Sequence, residues 1–125
     1  IQLPDRREIM VVNLHFDWVE DDKFRFQQAK ELAKYLDTLT LPYVLMGDFN
    51  DQPQSRTLDL LSRGTMAAVK PRQDRFTFSS MKPTMEIDFI FAAPREAWQF
   101  NFSRVLNGKV TSDHRPFLAV VELQP

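Results

Sequence analysis

Two short apolar runs, each closing on polar residues and separated by an amphipathic segment, restrict this chain to a small set of architectures. The first, Glu8-Ile9-Met10-Val11-Val12-Asn13-Leu14-His15-Phe16, is apolar and β-branched with few polar interruptions. That is the pattern of a strand covered on both faces, and it predicts a central strand. Between Asp21 and Leu39 the apolar residues Phe26, Ala29, Leu32, Ala33, Leu36 and Leu39 recur at helical spacing. Asp21 and Asp22 supply negative charge where a helix N-terminus favours it. Tyr43-Val44-Leu45-Met46 reads as a second buried strand that stops at Gly47 and opens into the turn-formers Asp48-Phe49-Asn50-Asp51. A short helix is expected next, capped by Ser55 and packing Leu58, Leu60 and Leu61, with Gly64 suited to the left-handed residue past its end. Beyond it, Phe76-Thr77-Phe78, Ile87-Asp88-Phe89-Ile90-Phe91 and Phe117 to Leu123 read as a meander-like set of strands. The expected fold is α/β, a mixed β-sheet with helices on one face.

At 125 residues, with 43% hydrophobic content, the chain has the size of one domain, and no linker or repeat divides it. A net charge of −1, with both signs interspersed, gives no global attraction to a nucleic-acid backbone. The absence of cysteine excludes disulfides, thiolate catalysis and cysteine-held zinc. Any metal would be held by carboxylate, amide or imidazole groups, and oxygen donors favour a hard cation. No apolar run approaches the roughly 20 residues that span a bilayer, and the start lacks a signal-peptide layout. The chain reads as soluble; its start at Ile1 leaves the compartment unassigned.

Four polar clusters stand at the ends or in the middle of the apolar runs: Asn13 with His15, Asp48 with Asn50, Asp88 alone, and Ser112-Asp113-His114. Each has an ordinary structural reading. Asp-Phe-Asn after a strand is a common turn, His15 is a satisfied core histidine, and Asp113-His114 is a loop dipeptide. Asp88 resists such a reading, because an unpaired acid among large apolar residues costs several kcal/mol. Burial of several such groups is most economical if they meet in one site, with Asp88 orienting the imidazole of His114 for acid/base work. The basic residues Lys70, Arg72, Arg75 and Lys82 read as solvated loop charges, with a local phosphate-binding rim as the alternative.

Taken in order, these segments resemble the endonuclease/exonuclease/phosphatase superfamily. Asn13-Leu14-His15-Phe16 is similar to its Asn-Thr-His-Leu strand, and Gly47-Asp48-Phe49-Asn50 matches its Gly-Asp-Phe-Asn motif. Ile87 to Phe91 is similar to its Ile-Asp-Tyr-Ile-Phe strand, and Ser112-Asp113-His114-Arg115-Pro116 fits its closing Ser-Asp-His-x-Pro. The resemblance implies a DNase I-like fold in which two α/β halves pack as a four-layer αββα sandwich. Residues 1–125 would be the C-terminal half, with the N-terminal half and its metal-binding glutamate absent. Half of such a sandwich would expose an apolar sheet face, so a missing half or a second copy is the expected partner. The resemblance also implies a Mg²⁺- or Mn²⁺-dependent phosphoesterase acting by water attack on a phosphate ester of a small molecule, lipid headgroup or nucleic acid. Asp48 would orient or deprotonate the water, and Asn50, His15 and Asn13 would contact the phosphate. His114, oriented by Asp88, would stabilise its extra charge, and Asp113 with Asp48 would hold the metal. Glu86 departs from the family, where a basic residue is usual. The competing reading is a non-catalytic binding or scaffold module that retains the fold.

Overall fold

The computed structural model describes residues 1–125. Strand β1 (Met10–His15) leads through helix α1 (Lys23–Leu36) to β2 (Tyr43–Asp48), and the two strands pair in parallel. Helix α2 (Arg56–Leu61) and the two-residue strand β3 (Met66–Ala67) follow. Strand β4 (Asp88–Ala93) then runs antiparallel to both β2 and β3, so the sheet is mixed and ordered β1-β2-β4-β3. A turn at Arg95–Ala97 leads into a separate hairpin of β5 (Trp98–Val105) and β6 (Phe117–Leu123).

Strand alternation divides the sheet into two chemically different faces. Val12, Leu14, Leu45 and Phe91 turn toward α1 and α2, where they pack with Ala29, Leu36, Leu58 and Leu61. The opposite face carries Val11, Val44, Ile90 and Ala92, over which Trp98, Phe100, Val121 and Leu123 of the hairpin close. The sheet face expected to stand bare is therefore covered at one end by the chain's own hairpin. The large apolar residues that stay exposed on the hairpin are Phe102, Leu118 and Val120.

Two further expectations are corrected. The run from Glu8 to Phe16 is apolar because its two faces meet the helices and the hairpin, yet its strand lies at the sheet edge instead of the centre. Phe76-Thr77-Phe78 is no strand: Phe78 forms isolated bridges to Met85 and His114, and β4 inserts beside β2, so the second half is not a meander. The local devices of α2 hold as expected. Ser55 caps it by accepting the Leu58 N–H, and Gly64 adopts φ +67°.

Gly47 fixes the approach of β1 to β2. Its φ is +139°, and a Cβ there would come to 2.0 Å from the Leu14 carbonyl oxygen. Only glycine lets the two parallel strands pair up to their last residues, which is where the polar side chains begin.

Candidate active site

The pairing register brings His15 opposite Asp48 and Asp48 opposite Asp88. Because each lies an even number of residues from Val11, Val44 and Ala92, all three side chains leave the sheet on the hairpin face, at the end that the hairpin does not cover. This end is the C-terminal end of β1 and β2. Phe49 alternates to the other face and is fully buried, with the rings of Phe16, Phe89 and Phe91 edge-on at 5.8, 5.6 and 5.5 Å. Asn50 then takes φ +48°, its N–H donates to Asp48 Oδ1 (2.8 Å) and its amide donates to the Phe16 carbonyl (2.8 Å). The turn is thus anchored below by an aromatic cluster and tied above to the end of β1.

His114 arrives from the loop after β5. The Arg115 N–H donates to Thr77 O (2.7 Å), Arg115 Nε to Ser80 O (2.9 Å), and the Ser80 N–H to Asp113 O (2.7 Å). These bonds fasten the 112–115 loop to the 77–80 segment, and the Phe78 ring lies 5.0 Å from the imidazole. His114 Nδ1 meets Asp88 Oδ2 at 2.9 Å, and Nε2 stands 3.5 Å from Asp48 Oδ2. An ionised carboxylate only accepts, so Nδ1 carries the hydrogen. His15 Nε2, on a side chain that is largely exposed, reaches the same Asp48 oxygen at 3.5 Å. Asp48 Oδ2 is consequently shared by two imidazoles.

Burial raises the Asp48 pKa, with the charge of Asp88 adding to it; the Asn50 N–H and the two imidazoles oppose the shift. For His114, burial works against the cation. The hydrogen bond and charge of Asp88, with the charges of Asp48 and Asp113, outweigh it and raise the pKa. Both folded groups hold protons more tightly than their unfolded forms. His114's contribution to stability is therefore complete below about pH 6.5 and is lost as pH rises through its higher folded value. In metal-free buffer the melting temperature is expected to fall as pH rises above about 6.5, and thermal unfolding of Asp88→Asn should show a flatter profile.

Of the residues expected in the site, Asp48, Asp88, His114 and His15 are brought together. Asn13 lines, with Asp88 and His114, an open cleft of about 270 Å³ on the same face. Asn50 is adjacent, with its amide partly engaged by Phe16. Asp113 lies outside the cluster: its carboxylate is exposed and accepts from Ser112 Oγ (3.3 Å). The donor atoms of Asp48, Asp88 and His114 all lie within 4.8 Å of one another, so two carboxylates and one imidazole converge. Two oxygen donors beside open cleft suit a hard divalent ion that keeps several waters.

Three contributing residues carry no obvious chemical signature in the sequence. Thr77 is fully buried, and its hydroxyl accepts from the N–H groups of Ile87 (3.4 Å) and Asp88 (3.3 Å), fixing the start of β4. Arg25 is buried in α1 and pairs with Asp51 just after the site turn (3.1 Å). Its position four residues before Ala29 on the apolar face is the signal that could have marked it. Lys70 corrects the reading of the basic loop, because its side chain is only 2% exposed. It is paired with Glu86 (3.0 Å) and lies over the rings of Phe89 (3.9 Å) and Phe117 (4.4 Å). Burial lowers its pKa, against the opposing pull of Glu86 and Asp88.

The family model described as "Endonuclease/Exonuclease/phosphatase family" matches residues 3–114. No curated protein matches the chain. Among solved structures, the endonuclease/exonuclease/phosphatase from Bacteroides vulgatus superposes with a TM-score of 0.78 at 25% identity, over 95% of this chain and 51% of that one. The mannosyl-6-phosphatase of Bacteroides thetaiotaomicron gives a TM-score of 0.76 at 22% identity, over 94% of this chain and 52% of that one. The human Nocturnin catalytic domain, bound to sulfate, gives 0.73 at 18% identity, over 97% and 49%. The chain thus spans about half the length of these structures.

Proposed function

Since the chain belongs to the endonuclease/exonuclease/phosphatase family, whose model matches it from residue 3 to residue 114, we propose that it carries the hydrolytic centre of a metal-dependent phosphoesterase. The observation that supports this most is the convergence of Asp48, Asp88 and His114 on one oxygen-rich point at the strand ends. Three features of the chain divide the work. Asp48, made more basic by burial, orients an attacking water and takes its proton. His114, held by Asp88 and favouring its cationic form, stabilises the charge that accumulates on the phosphoryl oxygens. His15 and Asn13, both exposed beside the row, contact the phosphate, and the free hydrogen of the Asn50 amide adds a third donor.

Asp48 and Asp88 would hold a Mg²⁺ or Mn²⁺ ion, with Asp113 adding negative charge close by. When bound, such an ion supplies Lewis-acid stabilisation of the phosphoryl and leaving-group oxygens. The ester's alcohol is a small molecule, a lipid headgroup or a nucleic acid.

The test is release of p-nitrophenol from bis(p-nitrophenyl) phosphate by the chain, and by any longer polypeptide that contains it, with Mg²⁺, Mn²⁺ or EDTA. Hydrolysis is expected with either ion and not with EDTA, and Asp48→Asn should both lower the rate at saturating ion and raise the ion concentration needed for half-maximal rate. Turnover that ignores EDTA would remove the metal from the reading. No turnover on this or on phosphomonoesters would favour a binding module instead.

A further inference from the structure

A second groove, of about 480 Å³, opens on the outer side of His15 and is lined by His15, Phe16, Asp17, Trp18, Phe24 and Gln28. Two of these are large aromatic residues left in water: Trp18 is 77% exposed and Phe24 66%. Neither contributes to the two hydrophobic clusters that hold the fold. An exposed indole on a loose loop would carry little meaning, but this one is held in place. Arg25 Nη1 donates to the carbonyls of Asp17 (3.1 Å) and Val19 (3.0 Å), the residues on either side of Trp18. The guanidinium that does this is buried and anchored to Asp51. The Asp17 N–H is fastened in turn to Gln28 Oε1 (3.0 Å), which leaves the Gln28 NH₂ as a donor at the groove. The loop therefore presents a fixed aromatic surface, with an acidic acceptor and an amide donor at its border.

The groove shares His15 with the site row, where His15 Nε2 approaches Asp48. A ligand whose phosphate sits at His15 and His114 can place its next group against Trp18 and Phe24. Exposed aromatic faces beside a polar site gain most from a planar π-system, and base-on-aromatic stacking is tolerant of which ring is stacked. We infer that Trp18 and Phe24, positioned by Arg25, form a stacking subsite that selects phosphate esters carrying a planar aromatic ring with a polar edge, of which a nucleobase is the commonest kind. This rests on the phosphoester reading of the row and adds to it a choice among alcohols.

The two tryptophans of the chain separate the readouts. Trp98 is 4% exposed and donates to Ala93 O (2.9 Å), so its emission reports the fold, while that of Trp18 reports the groove. The 125-residue chain would be titrated, with Mg²⁺ present, with adenosine 5′-monophosphate, ribose 5-phosphate and inorganic phosphate, by calorimetry and by tryptophan fluorescence. Adenosine 5′-monophosphate is expected to quench the solvent-exposed emission and to bind about tenfold tighter than ribose 5-phosphate. Trp18→Ala should erase that difference while leaving phosphate affinity and Trp98 emission unchanged. Equal affinities for the two sugar phosphates, unaffected by Trp18→Ala, would overturn the subsite and leave the phosphoester reading standing. Failure of all three to bind would overturn both. A change in Trp18 emission that follows protein concentration and not nucleotide would make the surface a contact between copies, and would equally overturn it.

Discussion

Replacing His114 with alanine is expected to lower kcat/KM for metal-dependent hydrolysis by about 10²–10⁴, the range for loss of a positioned acid/base group. The ring touches both carboxylates of the row, at 2.9 and 3.5 Å, and it is the one imidazole that reaches Asp88 and Asp48 together. Its loop is held by main-chain bonds to Thr77 and Ser80 and by Arg115, none of which uses the imidazole. The fold should therefore survive, and the loss should appear in turnover measured well below the melting temperature, which falls only by what the His114–Asp88 pair contributes. At saturating ion Asp88→Asn should lower turnover less, because an amide oxygen can still accept from Nδ1 while the charge that favours the imidazolium is gone; the ion concentration required should rise, since Asp88 would also hold the metal. If His114→Ala kept activity within about threefold of the parent, the roles given to this row would be wrong.

Lys70→Met is expected to destabilise the chain by about 3 kcal/mol, read as a lower midpoint in urea at unchanged slope. Two costs add. Glu86, only 13% exposed on its side chain, keeps just the Arg75 guanidinium at 3.8 Å. The Phe89 and Phe117 rings also lose a cation held against their faces. The double change Lys70→Met with Glu86→Leu should recover much of the loss, since an apolar pair of similar volume removes the stranded charge along with its partner. A single variant as stable as the parent would mean that the pair is solvated in solution. Lys70 also borders the site: Ala68 still donates to Ile90 O (2.9 Å), and two residues later the chain reaches Lys70, close enough to feel Asp88. The positive charge beside the site strand thus comes from Lys70, on the segment that pairs with it.

The legibility of the sequence follows the range of the interactions that decide each element. Helix α1, the strands β1, β2, β4 and β6, the Ser55 cap and Gly64 were readable because apolar period and local capping decide them. Asp88 was readable as a group in need of a partner because an acid inside an apolar run is costly, and His114 meets it at 2.9 Å. Strand β5 escaped, since Trp98 to Val105 interleaves Gln99, Asn101, Ser103 and Arg104 with its apolar residues, and an irregularity between Phe100 and Phe102 breaks the alternation. Thr77 to Phe78 looked like a strand because aromatic and β-branched residues favour extended backbone. There that backbone serves as a bracket for Asp88 and His114 and does not join the sheet. The burial of Lys70 and Arg25 was hidden for a different reason: each charge is neutralised by a partner distant in sequence, and only the folded chain shows it.

The row His15, Asp48, Asp88 and His114 draws on segments spread over most of the chain, and no two of its members are near neighbours in sequence. No fragment or partly folded form can assemble it, because the parallel pairing of β1 with β2, the insertion of β4 and the docking of the last loop must all be complete. Anything that binds there binds the native state alone, and so raises the stability of the whole fold as its concentration exceeds the dissociation constant. A ligand of this site is in that sense also a folding cofactor, and the midpoint of unfolding becomes a direct gauge of its occupancy.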